Sequence, residues 1–168
     1  MLILGLDPGS RHTGYGLIDK QGDRLHVVSH GRFSCPTSQP LAARLRSLSA
    51  DLDAIIDSAP PEVAVLESLF HGVNSRSLIV LAQARGALLA GLARRGLEVW
   101  EYSPAQVKTA VTGNGRADKS QVARMVRLLL GAGAEGFSAD ATDALALAIC
   151  AANRHRLDVL ERVPAPHR

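Results

Sequence analysis

Four carboxylates stand where a chain can place chemistry. Asp7 closes the apolar run Leu2-Ile3-Leu4-Gly5-Leu6, and Glu67 closes a second run, Val63-Ala64-Val65-Leu66. Each acid sits where a strand would leave its sheet, a common position for site residues. Asp140 and Asp143 are three apart at the start of an Ala-rich stretch, a spacing that puts both side chains on one face of a helix's first turn. Singly, such acids are ordinary turn formers, helix caps or dipole partners. Together they converge from three elements, and carboxylates held close raise one another's pKa unless a divalent cation relieves the repulsion. Hard oxygen donors suit Mg²⁺, with Mn²⁺ as a substitute. Two such ions about 4 Å apart can activate a water and stabilise the leaving 3′ oxygen of a phosphodiester. No nucleophile elbow or Ser-His-Asp pattern competes for the role.

The elements that must hold these acids follow from period and punctuation. Residues 2–7, 14–19 and 25–34 are β-rich runs separated by Pro8-Gly9-Ser10 and Gln21-Gly22-Asp23, which predicts an antiparallel meander. Leu41, Leu45, Leu48, Leu52 and Ile55 recur at helical steps until Pro60-Pro61. A strand over 62–67, a helix over 77–95 stopped by Gly96 and a strand over 97–102 come next. Ser103-Pro104 reads as an N-cap with proline at the first helical position, Asp118 and Ser120 can cap a helix to Leu130, and a Gly-rich loop over 131–139 leads to a helix from Asp140 to Leu157. The order β-β-β-α-β-α-β-α-α-α predicts an α/β, RNase H-like mixed five-stranded sheet. Three antiparallel strands are followed by parallel βα units, with helices flanking the sheet. One domain over 1–158 is expected, with 159–168 a flexible tail.

Nearly half of the 168 residues are apolar, enough for a sizeable core, and 19 basic against 16 acidic residues leave a net charge of only +3. The distribution says more. Residues 103–134 carry Lys108, Arg116, Lys119, Arg124 and Arg127 against the single acid Asp118, a stretch that can follow a phosphate backbone or serve as a solvated helix face. Cys35 and Cys150 lie far apart with no metal-binding spacing, so buried thiols in a reducing, cytoplasmic setting are expected. The opening run is too short and lacks the basic start of a signal peptide, and no stretch reaches membrane-spanning length.

Several spaced motifs resemble the RuvC family of Holliday junction resolvases over residues 2 to about 152. They are Leu4-Gly5-Leu6-Asp7-Pro8-Gly9-Ser10-Arg11 with Thr13-Gly14-Tyr15-Gly16, Leu66-Glu67-Ser68-Leu69-Phe70, Gln83-Ala84-Arg85-Gly86, Gln106-Val107-Lys108, Lys119-Ser120-Gln121-Val122 and Asp140-Ala141-Thr142-Asp143-Ala144-Leu145-Ala146. The resemblance implies that Asp7, Glu67, Asp140 and Asp143 bind catalytic metal ions. Some relatives have histidine in place of Asp140. It implies symmetric nicking of two opposing strands of a four-way junction, leaving 5′-phosphate and 3′-hydroxyl ends, in recombination and repair. Partnership with the branch-migration proteins RuvA and RuvB is also implied.

Lys108 and Lys119 match family phosphate-holding positions, and Arg116 lies between them in the same basic stretch. Phe70 matches a junction-probing aromatic that could stack on an unpaired base, the alternative being the core role that phenylalanine most often takes. Asn74 and Arg76 share its loop. Leu78, Leu81, Leu88 and Leu92 among Ala82, Ala87, Ala90 and Gly91 make a wide apolar helix, half of it expected to face the sheet and the rest available to a second copy. A two-fold symmetric junction calls for such a homodimer.

Three other readings compete. Asp7-Pro8-Gly9-Ser10 also resembles the first phosphate loop of actin-like ATPases and sugar kinases, which need two such domains where this chain has room for one. A non-catalytic junction-binding module would use the basic residues alone. Another RNase H-like nuclease, acting on RNA/DNA hybrids or single strands, is separated from the first reading only by the RuvC-like segments.

Overall fold

The central strand of the computed structural model is apolar on both faces because both faces are covered. The structure describes residues 1–9, 11–34, 38–68, 75–131 and 137–161, with the backbone alone for 75–77 and 155–161. Strand β1 (Leu2–Asp7) lies in the middle of a five-stranded sheet of order β3-β2-β1-β4-β5, with β2 at His12–Gln21, β3 at Arg24–Ser34, β4 at Val63–Glu67 and β5 at Glu98–Tyr102. The first three strands pair antiparallel, whereas β1 with β4 and β4 with β5 pair parallel, which is the mixed arrangement expected from the element order. Helix α1 (Leu41–Ser58) crosses from the edge strand β3 to β4, and helix α2 (Ser75–Arg94) connects the parallel pair β4 and β5. Helices α3 (Pro104–Thr112), α4 (Lys119–Leu130) and α5 (Ala139–Glu161) follow β5.

Strand β2 outruns the stretch 14–19 read from its apolar pattern. Its polar ends are held by pairing, with His12 opposite Ser34 and Gln21 opposite Arg24, Thr13 is also buried, and Gly22 supplies the left-handed turn between the strands. Helix ends follow their local chemistry. Ser103 and Asp118 each close a capping box with the glutamine three residues on, satisfying first-turn amides that have no helical partner. At the end of α2, Leu97 N–H donates to the Leu92 carbonyl around Gly96, a closure that needs the positive φ glycine tolerates.

Alternation along the strands divides the core into two layers. Ile3, Ile18, Val63 and Val65 pack against α3, α4 and α5, while Leu4, Leu6, Leu17, Ala64 and Leu66 pack against Leu48, Leu52, Leu88 and Leu92 of α1 and α2. Asp7 continues the series Ile3, Gly5, and Glu67 continues Val63, Val65. Period two therefore sends both acids to the α5 side.

That side is very close. A Cβ on Gly5 would lie 2.0 Å from the Ala144 carbonyl oxygen, and one on Gly14 would lie 2.0 Å from that of Asp140. On Gly16 a Cβ would meet the Leu145 side chain at 2.7 Å. The glycines of β1 and β2 are thus where α5 rests on bare backbone.

On α2, Ala84, Leu88 and Leu92 are buried, and Leu78 and Leu81 are half-buried. The outward stripe is Ile79, Ala82, Gly86 and Ala90, so the leucines fall on the half of the helix that points toward the sheet. The helix is two-faced as expected, but its free face carries one large apolar residue, Ile79, with the small residues Ala82, Gly86 and Ala90. Cys150 is a buried free thiol whose pKa burial pushes up to about 11, and Cys35 lies outside the described residues. No helix among the described residues is long and apolar enough to cross a membrane. The proposed tail begins within α5, and its residues 162–168 lie outside the described residues.

Candidate active site

Asp7 pairs with Gly14 at the end of the β1–β2 ladder, and Gly14 is the residue on which the Asp140 backbone rests. One register therefore brings the first strand's acid beside the start of α5. Glu67 reaches the same region from the adjacent parallel strand, because Leu6 and Leu66 are register partners and each acid follows directly. Asp7, Glu67 and Asp143 line one cavity of about 280 Å³. Lys108 of α3 and Lys119 of α4 also line it, over an apolar floor of Val107, Val122, Ala146 and Leu147.

The electrostatics record the crowding. Burial first, then the carboxylates of Asp143, Glu67 and Asp140, push the Asp7 pKa up to about 7. Glu67 is raised by burial and then by Asp143, against the lowering effect of Lys108 and Lys119. Besides Lys108, two further cations partly answer this charge. Lys119 Nζ donates to Asp143 Oδ2 at 2.7 Å, which raises the lysine pKa, and Arg32 of β3 stands 3.9 Å from Asp140 Oδ2. Asp140 is absent from the cavity lining and faces the β2–β3 side, but it still acts on Asp7 through space.

The four acids named from sequence thus share one neighbourhood. Among the described residues no three of the side chains close into a ready metal cage. The donor chemistry nevertheless fits a hard divalent cation. Every donor is a carboxylate oxygen, and burial with like charge that Lys119 only partly offsets pushes the Asp7 pKa up, the condition a bound cation corrects.

The other sequence-named residues divide. Lys108 and Lys119 flank the acids, whereas Arg116 is exposed on the turn between α3 and α4, where its backbone N–H donates to Asn114 Oδ1 at 2.9 Å. Phe70 and Asn74 lie outside the described residues, as does the side chain of Arg76 in the first turn of α2. Sequence reasoning missed Arg32, the supporting glycines as helix contacts, and Arg85, whose guanidinium is buried behind Glu67.

The family model described as crossover junction endodeoxyribonuclease RuvC matches residues 3–151. The chain belongs to the RuvC family. A RuvC from Anaeromyxobacter dehalogenans, named crossover junction endodeoxyribonuclease, is 52% identical over 150 residues, which cover 89% of this chain and 80% of the relative. The Thermus thermophilus RuvC structure superposes with a TM-score of 0.87 at 28% identity, over 94% of this chain and 97% of that one. The T. thermophilus RuvC in complex with Holliday junction substrate gives 0.85 at 26% identity, over 94% and 96%. In this RuvC-family chain the resemblance read from scattered motifs extends to the whole mixed sheet and to α5.

Proposed function

We propose that this chain is a crossover junction endodeoxyribonuclease that resolves four-way DNA junctions by metal-dependent hydrolysis. The observation that carries the reading is the meeting of acids from β1, β4 and α5 around one cavity, with the Asp7 carboxyl driven up to about 7. Asp7, Glu67, Asp140 and Asp143 are the residues that would hold the metal. Bound there, two Mg²⁺ ions, or Mn²⁺ in their place, would supply an activated water and charge stabilisation for the leaving 3′ oxygen, leaving 5′-phosphate and 3′-hydroxyl ends.

The chain's own residues do the rest. Lys108 and Lys119 stand beside the acids, where a phosphodiester would bring its negative charge, and they supply electrostatic attraction and orientation. Lys119 is also paired with Asp143, through its Nζ to Oδ2. Arg116, exposed on the neighbouring turn, extends the basic track; Phe70 is assigned to the opened crossover by family resemblance, and Asn74 and Arg76 by their nearness to it in the chain.

One cluster of acids per chain makes one cut, so two copies acting on opposing strands are proposed, meeting through the Ile79, Ala82, Gly86 and Ala90 face of α2. Residues 1–158 are read as the nuclease domain, with a tail beyond. Cooperation with RuvA and RuvB, and a cytoplasmic setting, follow from the family relationship.

A substrate panel tests the reading. Magnesium-dependent cutting of a synthetic four-way junction, in preference to matched duplex, single strand and RNA/DNA hybrid, is expected. Equal or better cutting of the hybrid would favour the other RNase H-like reading.

A further inference from the structure

Among the described residues, Arg85 is the one charged side chain that is buried, at 6% exposure. It belongs to the inward stripe Leu81, Arg85, Leu88, Leu92 of α2, where an apolar side chain would suit the layer around it. Burying a guanidinium costs several kcal/mol unless its donors are paired, so its partners show what this one is for. Arg85 Nη1 donates to the backbone carbonyl of Glu67 at 3.0 Å, and Arg85 Nη2 meets Glu101 Oε1 at 2.7 Å. Glu101 is the β5 partner of Leu66, so the planar fork spans the ends of two adjacent parallel strands.

The carbonyl it holds belongs to an acid that points the other way. Glu67 presents its carboxylate to the cavity on the α5 side while Arg85 grips its backbone from the α2 side. Just beyond it, Ser68 N–H donates to the Tyr102 carbonyl at 2.9 Å, the last pairing before the chain leaves the sheet. Ser68 N–H and the Glu67 carbonyl belong to one peptide unit, so the sheet bond holds one side of it and the Arg85 fork holds the other. Held on both sides, that peptide sets the direction in which the Glu67 Cβ leaves the backbone toward the cavity.

We propose that Arg85 is a positioning residue of the active site, setting the Glu67 carboxylate toward Asp7 and Asp143 by clamping the Glu67 carbonyl against Glu101. The inference rests on the reading of Glu67 as a metal-site acid. A merely structural arginine, tying α2 to the sheet, would affect melting and leave the metal site of the folded protein untouched.

Arg85→Lys keeps the charge and loses the fork, and Glu101→Gln keeps an acceptor and loses its charge. Mn²⁺ binding to the DNA-free protein, measured by calorimetry, is read beside melting, junction affinity in Ca²⁺ and single-turnover cleavage across a metal titration. Folded Arg85→Lys is expected to bind Mn²⁺ about 10- to 100-fold more weakly. It should keep its junction affinity and recover its cutting rate in excess metal, with Glu101→Gln shifting in the same direction by less. Wild-type Mn²⁺ affinity in folded Arg85→Lys would overturn the proposal, as would lost junction affinity with normal metal binding. If Arg85→Lys does not fold, Glu101→Gln decides alone, and unchanged Mn²⁺ affinity there overturns it. Asp7→Asn is the control: if it binds Mn²⁺ as wild type does, the metal-site reading itself fails.

Discussion

The carbonyl oxygen of Asp140 lies over the Cα of Gly14, so near that a Cβ on Gly14 would stand 2.0 Å from it. Gly14 is also the ladder partner of Asp7. The separation between the strand acid and the helix acids therefore depends on the absence of a side chain at Gly14, as it does at Gly5 and Gly16 further along the helix. Gly14→Ala must push α5 off the sheet, since the obstacle is helix backbone rather than a flexible side chain. The expected cost is about 1–3 kcal/mol of stability, as for overpacking in general. The folded fraction should cut at least about 100-fold more slowly, in line with the sensitivity of catalysis to small displacements. Thermal melting and cleavage per folded molecule check both.

The acids themselves give the second prediction. Glu67→Gln, Asp140→Asn and Asp143→Asn should each abolish or sharply reduce cleavage and spare junction binding, because they serve metal rather than DNA affinity. Removing negative charge beside a phosphate should even tighten binding. Gel-shift affinity in Ca²⁺ beside cleavage in Mg²⁺ separates the two effects.

A pH dependence of stability follows from Asp7. Its folded pKa of about 7 lies above the ordinary 3.8, so between those values the folded chain holds a proton that the unfolded chain has lost. Stability contributed at this site is present below the unfolded pKa and is lost as pH rises through the folded one. Asp7→Asn removes that loss. In metal-free buffer its melting temperature relative to wild type should climb from pH 4 to pH 7 and level off above, with a gain of at most about 4 kcal/mol. Adding Mg²⁺ should raise wild-type melting at pH 8 and leave Asp7→Asn nearly unmoved. A flat difference across the range would show that the crowding is relieved some other way.

Much of this site was legible because its signals are local. An acid at the end of an apolar strand needs only neighbours in sequence, and the three-residue spacing of Asp140 and Asp143 needs only the helix period. The glycines were visible as residues, but their role was not. Gly14 and Gly16 share one strand face, a pattern that marks close approach, yet the approaching helix lies at the far end of the chain. Arg85 carried a signal too, since it interrupts the inward series Leu81, Leu88, Leu92. Its partners on β4 and β5 are set by tertiary contact and could not be named beforehand. Arg32 sits opposite Gly14 on an edge strand, a pairing fixed by register rather than composition. The apolar stripe of α2 was read correctly as two-faced, but periodicity alone could not say which residues lie outward.

The lysines can be separated by salt. Lys108→Ala and Lys119→Ala should each weaken junction binding and flatten its dependence on salt by about one counterion's worth. Lys119→Ala also removes the partner of Asp143, so in metal-free buffer it should melt below Lys108→Ala. Unchanged salt slopes in both variants would remove these residues from the DNA interface.

The outward face of α2 predicts assembly. Ala82→Glu places a charge on an exposed small residue and should yield monomers that fold but leave the two cuts uncoordinated. Sedimentation on junction DNA and the yield of doubly cut product read this directly. A dimeric Ala82→Glu protein making paired cuts would move the interface elsewhere.

The most direct test of the central claim is single-turnover cleavage of a four-way junction by saturating wild-type and Asp7→Asn protein, in Mg²⁺ and in EDTA. Wild type should make paired, ligatable nicks in Mg²⁺ and none in EDTA, while Asp7→Asn binds the junction and leaves it intact in both. Cutting by Asp7→Asn at the wild-type rate, or cutting by wild type without divalent metal, would contradict the account.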